Sequence, residues 1–141
     1  MPQTILAFDY GKRRIGVAVG QTITESASPL GIVDNQDNGP DTDKIAALIA
    51  EWRPGQLVVG MPAHADGSPS DMQQHVRGFI ELLGQFELPI DTIDERFTSL
   101  EAEAKLKDAR IAGARGRITK ESIDSAAAVL IAERYLAARK N

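Results

Sequence analysis

The chain has 141 residues, of which 43% are hydrophobic and 26% charged. That balance excludes a disordered or fibrous chain and fits one domain over residues 1–141, long enough to bury about two thirds of the surface its unfolded form exposes. The absence of cysteine and the presence of only two histidines exclude disulfides, a thiolate zinc site and a histidine-rich metal centre, so any metal must rely on carboxylates. The formal charge of −4 argues against a uniformly basic nucleic-acid binder, which makes the distribution of charge decisive.

Thr4 to Asp9 (TILAFD) is a short, nearly all-apolar run. It is followed by Tyr10-Gly11 and a second apolar run, Ile15 to Val19, and the pair reads as a β-hairpin. Ala27 to Val33 supplies a third strand, and the loop Asp34 to Pro40 (DNQDNGP) is dense in turn formers. Thr42 to Trp52 repeats apolar residues at helical spacing through Ile45, Leu48, Ile49 and Trp52. Pro54-Gly55 ends that helix, and Gln56 to Gly60 (QLVVG) is a compact buried strand.

The loop Met61 to Ser68 comes next, with Ser68 as N-cap and Pro69 as first residue of a helix running to about Phe86. Pro89 to Asp94 (PIDTID) reads as a further strand that delivers Glu95 and Arg96 to its carboxyl end. Thr98 and Glu101 have capping-box spacing for a helix to about Ala112. A Gly- and Arg-rich loop, Gly113 to Ile118, precedes a last helix from about Lys120 to Arg139. Its buried side is read as Ile123, Ala126, Ala127, Leu130, Ile131 and Leu136. Three meandering strands followed by alternating helices and strands imply an α/β domain, a mixed five-stranded sheet with helices on both faces. Met1 to Thr4 lack the basic start and apolar run of a secretory signal, and no apolar stretch approaches about 18 residues, so the expected setting is the cytoplasm, with no membrane partner.

Three acids stand out from this framework. Asp9 ends a strand buried on both sides, where an anion is costly unless compensated, and Lys12, Arg13 and Arg14 follow within a few residues. By itself it reads equally well as the turn former of Asp-Tyr-Gly. Glu95 ends a different strand, in the crevice where open α/β sheets place ligands, flanked by Arg96, Thr98 and Ser99. Alone, it reads as a surface ion pair with Arg96. Asp124 shares a helical side with Ala127, Ala128, Ile131 and Tyr135, an apolar setting that suits a functional acid better than one complementing the helix dipole.

Two carboxylates about 4 Å apart repel by roughly 4 kcal/mol at an effective dielectric near 20, and bound cations reverse that sign. Oxygen-only ligation suits Mg²⁺ or Mn²⁺. A pair of such ions about 4 Å apart is the arrangement that hydrolyses phosphodiesters. From Lys107 to Lys120, five basic residues (Lys107, Arg110, Arg115, Arg117 and Lys120) face one acid, Asp108. This +4 segment on an acidic body reads either as a phosphate-contacting arm or as a solvated loop. The loop Gly60 to Ser68 resembles a backbone cradle for phosphate but matches neither a Walker loop nor a dinucleotide fingerprint. His64 and His75 are read as surface or loop residues.

Four segments occur in a characteristic order: Asp9-Tyr-Gly-Lys-Arg-Arg-Ile-Gly-Val-Ala18, Gly60-Met-Pro-Ala-His-Ala-Asp-Gly-Ser68, Asp94-Glu-Arg-Phe-Thr-Ser99 and Ile123-Asp-Ser-Ala-Ala-Ala-Val-Leu-Ile131. On these the sequence resembles the YqgF/RuvX family of pre-16S rRNA nucleases, also described as Holliday-junction-resolvase-like. The resemblance implies an RNase H-like fold, a bacterial cytoplasmic setting and a role in maturing the 5′ end of 16S ribosomal RNA. The family's strand-one aspartate falls on Asp9, its Asp-Glu-Arg glutamate on Glu95 and its last-helix aspartate on Asp124. These three are the expected catalytic and metal-holding residues, with Mg²⁺ or Mn²⁺ as cofactor.

Lys12, Arg13, Arg96, Thr98, Ser99, Arg110, Arg115 and Arg117 are the expected contacts to structured nucleic acid, a precursor rRNA. Two other readings stay open. One is a DNA junction resolvase, which needs two symmetric sites and hence a homodimer rather than a monomer. The other is a non-catalytic ribosome-assembly module that binds RNA through Arg110, Arg115 and Arg117.

Overall fold

The computed structural model describes residues 3–37, 39–62, 72–94 and 120–139, the last segment's 120–124 and 139 by their backbone alone. The sheet contains β1 (Thr4–Asp9), β2 (Arg14–Gln21), β3 (Ser26–Gln36), β4 (Gly39–Pro40), β5 (Gln56–Met61) and β6 (Ile90–Asp94). Its strand order is β4-β3-β2-β1-β5-β6. The β1–β2 and β2–β3 pairs are antiparallel, whereas β5 runs parallel to both β1 and β6. Helices α1 (Thr42–Trp52), α2 (Met72–Leu83) and α3 (Lys120–Arg139) pack on it, and a short 3₁₀ turn, Gly84–Phe86, continues α2.

The mixed sheet follows the sequence expectation, with six strands instead of five. The added strand is β4, within the segment 34–40 read as a loop. Asn35 and Gln36 are turn-type residues by composition, yet they extend β3 because each finds a ladder partner, Pro40 and Gly39 respectively. The N-cap expected at Ser68, the helix expected from Thr98 to Ala112 and the basic loop that follows lie outside the described residues.

Alternation along the strands divides the core. Leu6 and Phe8 of β1, Ile15, Val17 and Val19 of β2, Val33 of β3, and Leu57 and Val59 of β5 face α1 and α2. There they meet Ile45, Val76, Phe79 and Leu83. Ile5, Ala7 and Val58 point the other way, against Ile131, Ala132 and Leu136 of α3, as the two-residue period of a strand demands. Helices therefore cover both faces. Asp41 caps α1 by accepting the Lys44 N–H at 3.2 Å, and the helix ends at Arg53, whose N–H donates to the Ile49 carbonyl at 2.8 Å.

Along β2 the α3 face is lined by small residues. On β2, Gly16, Ala18 and Gly20 are all buried and occupy the positions alternate to Ile15, Val17 and Val19, and Ala128 packs on Ala18. A Cβ added at Gly20 would lie 2.9 Å from Ile5 Cγ1 and 3.3 Å from Leu136 Cδ1, so glycine there leaves room for both side chains. Of the side shared with position 124, Ala127, Ala128 and Ile131 are buried and Tyr135 is half-buried, while the side chain of Ile123 lies outside the described residues. Ala126 and Leu130, expected on the buried side, are only half-buried. Val129 and Ser125 take that ground instead, because the helix is rotated toward β2 and β3.

Candidate functional site

The carboxyl ends of β1, β5 and β6 open at one edge of the sheet, since the three strands run parallel. Asp9 is the last residue of β1, half-buried and paired with Gly16. It continues the Ile5–Ala7 alternation and so lies on the face that α3 covers. On β6 the last described residue is Asp94, paired with Met61. One strand, β5, separates β1 from β6, which puts their ends about 10 Å apart at ordinary strand spacing.

The direction of α3 completes this edge. Ser125, near the start of the helix and 6% exposed, donates its hydroxyl to the Gly31 carbonyl at 2.9 Å. Gly31 pairs with Val17, and Val17 with Phe8, so the helix begins over the row next to Asp9. Eleven residues on, Leu136 lies at Gly20 and Ile5, near the opposite end of β1. Hence α3 runs antiparallel to β1, and the backbone of position 124 lies at the same sheet edge as Asp9.

A bulge prepares the Gly31 contact. The β2–β3 register shifts between Val17 and Ala18, leaving Leu30 without a ladder partner, and Gly31 takes φ +112°, a conformation that glycine adopts without the clash of a Cβ. Sequence reasoning did not single out Ser125 or Gly31. Serine one position after a candidate acid was the available signal, but its partner is 94 residues away.

Between β1 and β2, residues 10–13 form the turn that carries Lys12 and Arg13, both exposed. Tyr10 leans on Phe79 of α2, ring centroids 5.3 Å apart, while Phe79 meets Phe8 edge-on at 5.6 Å. The α2 start is tied to the exit of β5 by Gln73, whose amide donates to the Pro62 carbonyl at 2.9 Å. His75 is exposed, in keeping with its surface reading. Glu95, Arg96, Thr98, Ser99, Arg110, Arg115, Arg117 and His64 lie outside the described residues, as does the side chain of Asp124. Among the described residues no three His, Cys, Asp or Glu side chains gather as a metal cluster. No helix among them is long and apolar enough to cross a membrane.

With this geometry in place, comparison with known proteins is informative. A family model described as RuvX, Holliday junction resolvase, matches residues 3–138. A Burkholderia lata protein named "Putative pre-16S rRNA nuclease" is 46% identical over 134 residues, covering 94% of this chain and 88% of its own. A Paraburkholderia xenovorans protein of the same name is 46% identical over 134 residues, covering 94% and 87%. Among solved structures, Thermus thermophilus RuvC in complex with a Holliday junction substrate superposes with a TM-score of 0.59 at 16% identity, covering 98% of this chain and 96% of that one. The yeast mitochondrial Holliday junction resolvase Ydc2 gives 0.53 at 10% identity, covering 94% and 77%. At such identities the superpositions speak for the fold, which is RNase H-like. The family match over nearly the whole chain, together with the relatives at 46% identity, shows that this protein belongs to the RuvX family.

Proposed function

We propose that the chain is a divalent-metal-dependent nuclease of the cytoplasm, formed by one domain, that hydrolyses phosphodiester bonds in precursor rRNA during maturation of the 16S 5′ end. The observation that carries this reading is the shared edge: Asp9 ends β1 on the α3 face, α3 begins over β3 at the same edge, and β6 ends there at Asp94, directly before Glu95 in the sequence. Family membership and relatives named for pre-16S rRNA support the substrate class.

The donor set fits Mg²⁺ or Mn²⁺. Asp9, Glu95 and Asp124 offer oxygen alone, and the chain has no cysteine to favour a softer ion. Such cations, when bound, supply positive charge beside the attacking water and the departing oxygen of an in-line displacement. The chain's own residues do the remainder. Asp9, the last residue of β1 and paired with Gly16 of β2, gives the site a carboxylate on a backbone fixed by the sheet. Lys12 and Arg13 neutralise phosphate next to the cut, with Arg96, Thr98 and Ser99 as further contacts and Arg110, Arg115 and Arg117 reaching the flanking strand. Purified protein with Mg²⁺ or Mn²⁺ is expected to cut a precursor-rRNA substrate. Full activity in the Asp9→Asn and Asp124→Asn proteins would reject the mechanism.

A second reading, cleavage of a four-way DNA junction, is favoured by the family description and by the fold shared with a junction-bound RuvC. It requires two sites related by symmetry, hence a homodimer. Sedimentation and a branched-DNA assay separate the two: a monomer that cuts the RNA and ignores the junction supports rRNA processing.

A further inference from the structure

The turn that carries Lys12 and Arg13 is held from outside its own hairpin. Asn35, on the tail of β3 and only 6% exposed, donates its side-chain amide to the Gly11 carbonyl at 2.8 Å. The backbone N–H of the same residue donates to the Arg13 carbonyl at 2.9 Å. One residue thus holds both ends of a three-residue stretch from which two exposed cations project. Gly11 matches this tight arrangement, since a Cβ there would run into the Arg14 carbonyl oxygen.

The clamp is braced from behind. Asn35 pairs with Pro40 of β4, the Asp41 N–H donates to the Asp34 carbonyl at 3.0 Å, and Lys44 of α1 donates its ammonium to the Ile32 carbonyl at 2.6 Å. A buried amide whose donor is spent on a turn carbonyl has a definite consequence. Without it, the Gly11 carbonyl loses its partner and the turn loses one of two ties to the sheet.

We infer that Asn35 is a positioning residue for nucleic-acid binding: through the Gly11 and Arg13 carbonyls it fixes the direction in which Lys12 and Arg13 meet phosphate, and it does not touch the ligand itself. This rests on the reading of the strand-end edge as a nucleic-acid site. It explains why β3 overruns the β2 pairing and why two residues at Gly39–Pro40 are recruited as a strand.

The test uses the full-length protein in EDTA, so that binding is read without cleavage. The probe is a labelled RNA hairpin with a single-stranded 5′ extension, titrated at several KCl concentrations. Asn35→Ala and the similarly sized Asn35→Leu are compared with the Lys12→Ala/Arg13→Ala protein and with the combination, and thermal unfolding is followed for each. In the Asn35 variants affinity is expected to fall about tenfold and the slope of log K against log salt to drop by about 1 for each phosphate that is no longer neutralised. Adding Lys12→Ala/Arg13→Ala to Asn35→Ala is expected to cost less than its effect in the wild-type background, the mark of residues acting as one unit. Gly11→Ala, which disturbs the same turn from within, is expected to reproduce the loss.

A merely structural Asn35 would lower the unfolding temperature and leave the salt slope unchanged; that result, or fully additive losses, overturns the inference. Binding that is abolished in the Lys12→Ala/Arg13→Ala protein but intact in the Asn35 variants overturns this inference alone. A wild-type protein with no salt-dependent affinity for the RNA overturns the nucleic-acid reading as well.

Discussion

The two faces of the sheet differ in how many large side chains they bury. Toward α1 and α2 the strands present large side chains, Leu6, Phe8, Ile15, Val17, Val33, Leu57 and Val59, and the helices answer with Ile45, Val76, Phe79 and Leu83. Toward α3 they present Ile5 and Val58 among the smaller Ala7, Gly16, Ala18 and Gly20, and the helix answers with Ile131 and Leu136 among Ala127, Ala128 and Ala132. Burying each large apolar side chain stabilises by about 1.5–3 kcal/mol, whereas alanine offers one methyl. The first face supplies most of the stability. The second, with glycine and alanine along β2, lets α3 lie close to that strand, and it is the second face that ends at Asp9 and at the start of α3.

If that division is right, stability and activity respond to different substitutions. The largest effect is expected at the acids. Asp9→Asn or Asp124→Asn should reduce RNA cleavage by at least about 100-fold, some 2.7 kcal/mol of transition-state stabilisation. The rates are compared per folded molecule, with the unfolding temperature of each variant followed in EDTA. Removing divalent ions from the wild-type protein should have the same effect, reversed by Mg²⁺ or Mn²⁺ and read in a single-turnover assay.

Next comes the large-residue face. Leu83→Ala empties a fully buried site at the end of α2 and should destabilise by about 2–5 kcal/mol in denaturant unfolding. Cleavage per folded molecule should remain close to wild type. An equal loss of activity per folded molecule would break the division between the faces.

On the small-residue face, Gly20→Val should cost about 1–3 kcal/mol by overpacking against Ile5 and Leu136. Relief by turning the Ile5 and Leu136 side chains leaves the cleavage rate of the folded fraction unchanged, whereas relief by moving α3 lowers it, so the rate reports which neighbour gives way. The smallest expected effect is at Ser125→Ala, about 1 kcal/mol for the hydroxyl bond to Gly31. So small a loss leaves nearly every molecule folded, so a several-fold fall in single-turnover rate there reports a displaced helix start.

The sequence exposes much of this architecture. Helix α1 has the bounds its apolar spacing predicts, Thr42–Trp52, and the first hairpin, β5 and β6 begin and end within a residue or two of their apolar runs. Local pattern suffices there because each element buries a continuous side. It fails at 34–40, where Asn35, Asp37 and Gly39 have the composition of a loop. Asn35 is a strand residue because Arg13 on one side and Pro40 on the other supply partners, and neither adjacency can be seen from within the segment.

The candidate site divides along the same line. Asp9 and Asp124 are marked as acids placed in apolar surroundings, a contradiction visible in one dimension. Ser125, Gly31 and Asn35 are not, because each is an ordinary polar or small residue whose role exists only through a partner 24 or 94 positions away. The rotation of α3 that buries Ser125 and leaves Ala126 half-exposed is likewise hidden, since a run of three alanines gives periodicity little contrast to read.

The central claim is that the carboxylates of Asp9, Glu95 and Asp124 converge where β1 and β6 end and α3 begins, and hold divalent cations there. Anomalous diffraction from crystals soaked in Mn²⁺ tests it most directly. Manganese density coordinated by all three carboxylates is the predicted result. Density at other acids with none at Asp9, or an Asp124 carboxylate turned away from Asp9 in the soaked crystal, would contradict the account.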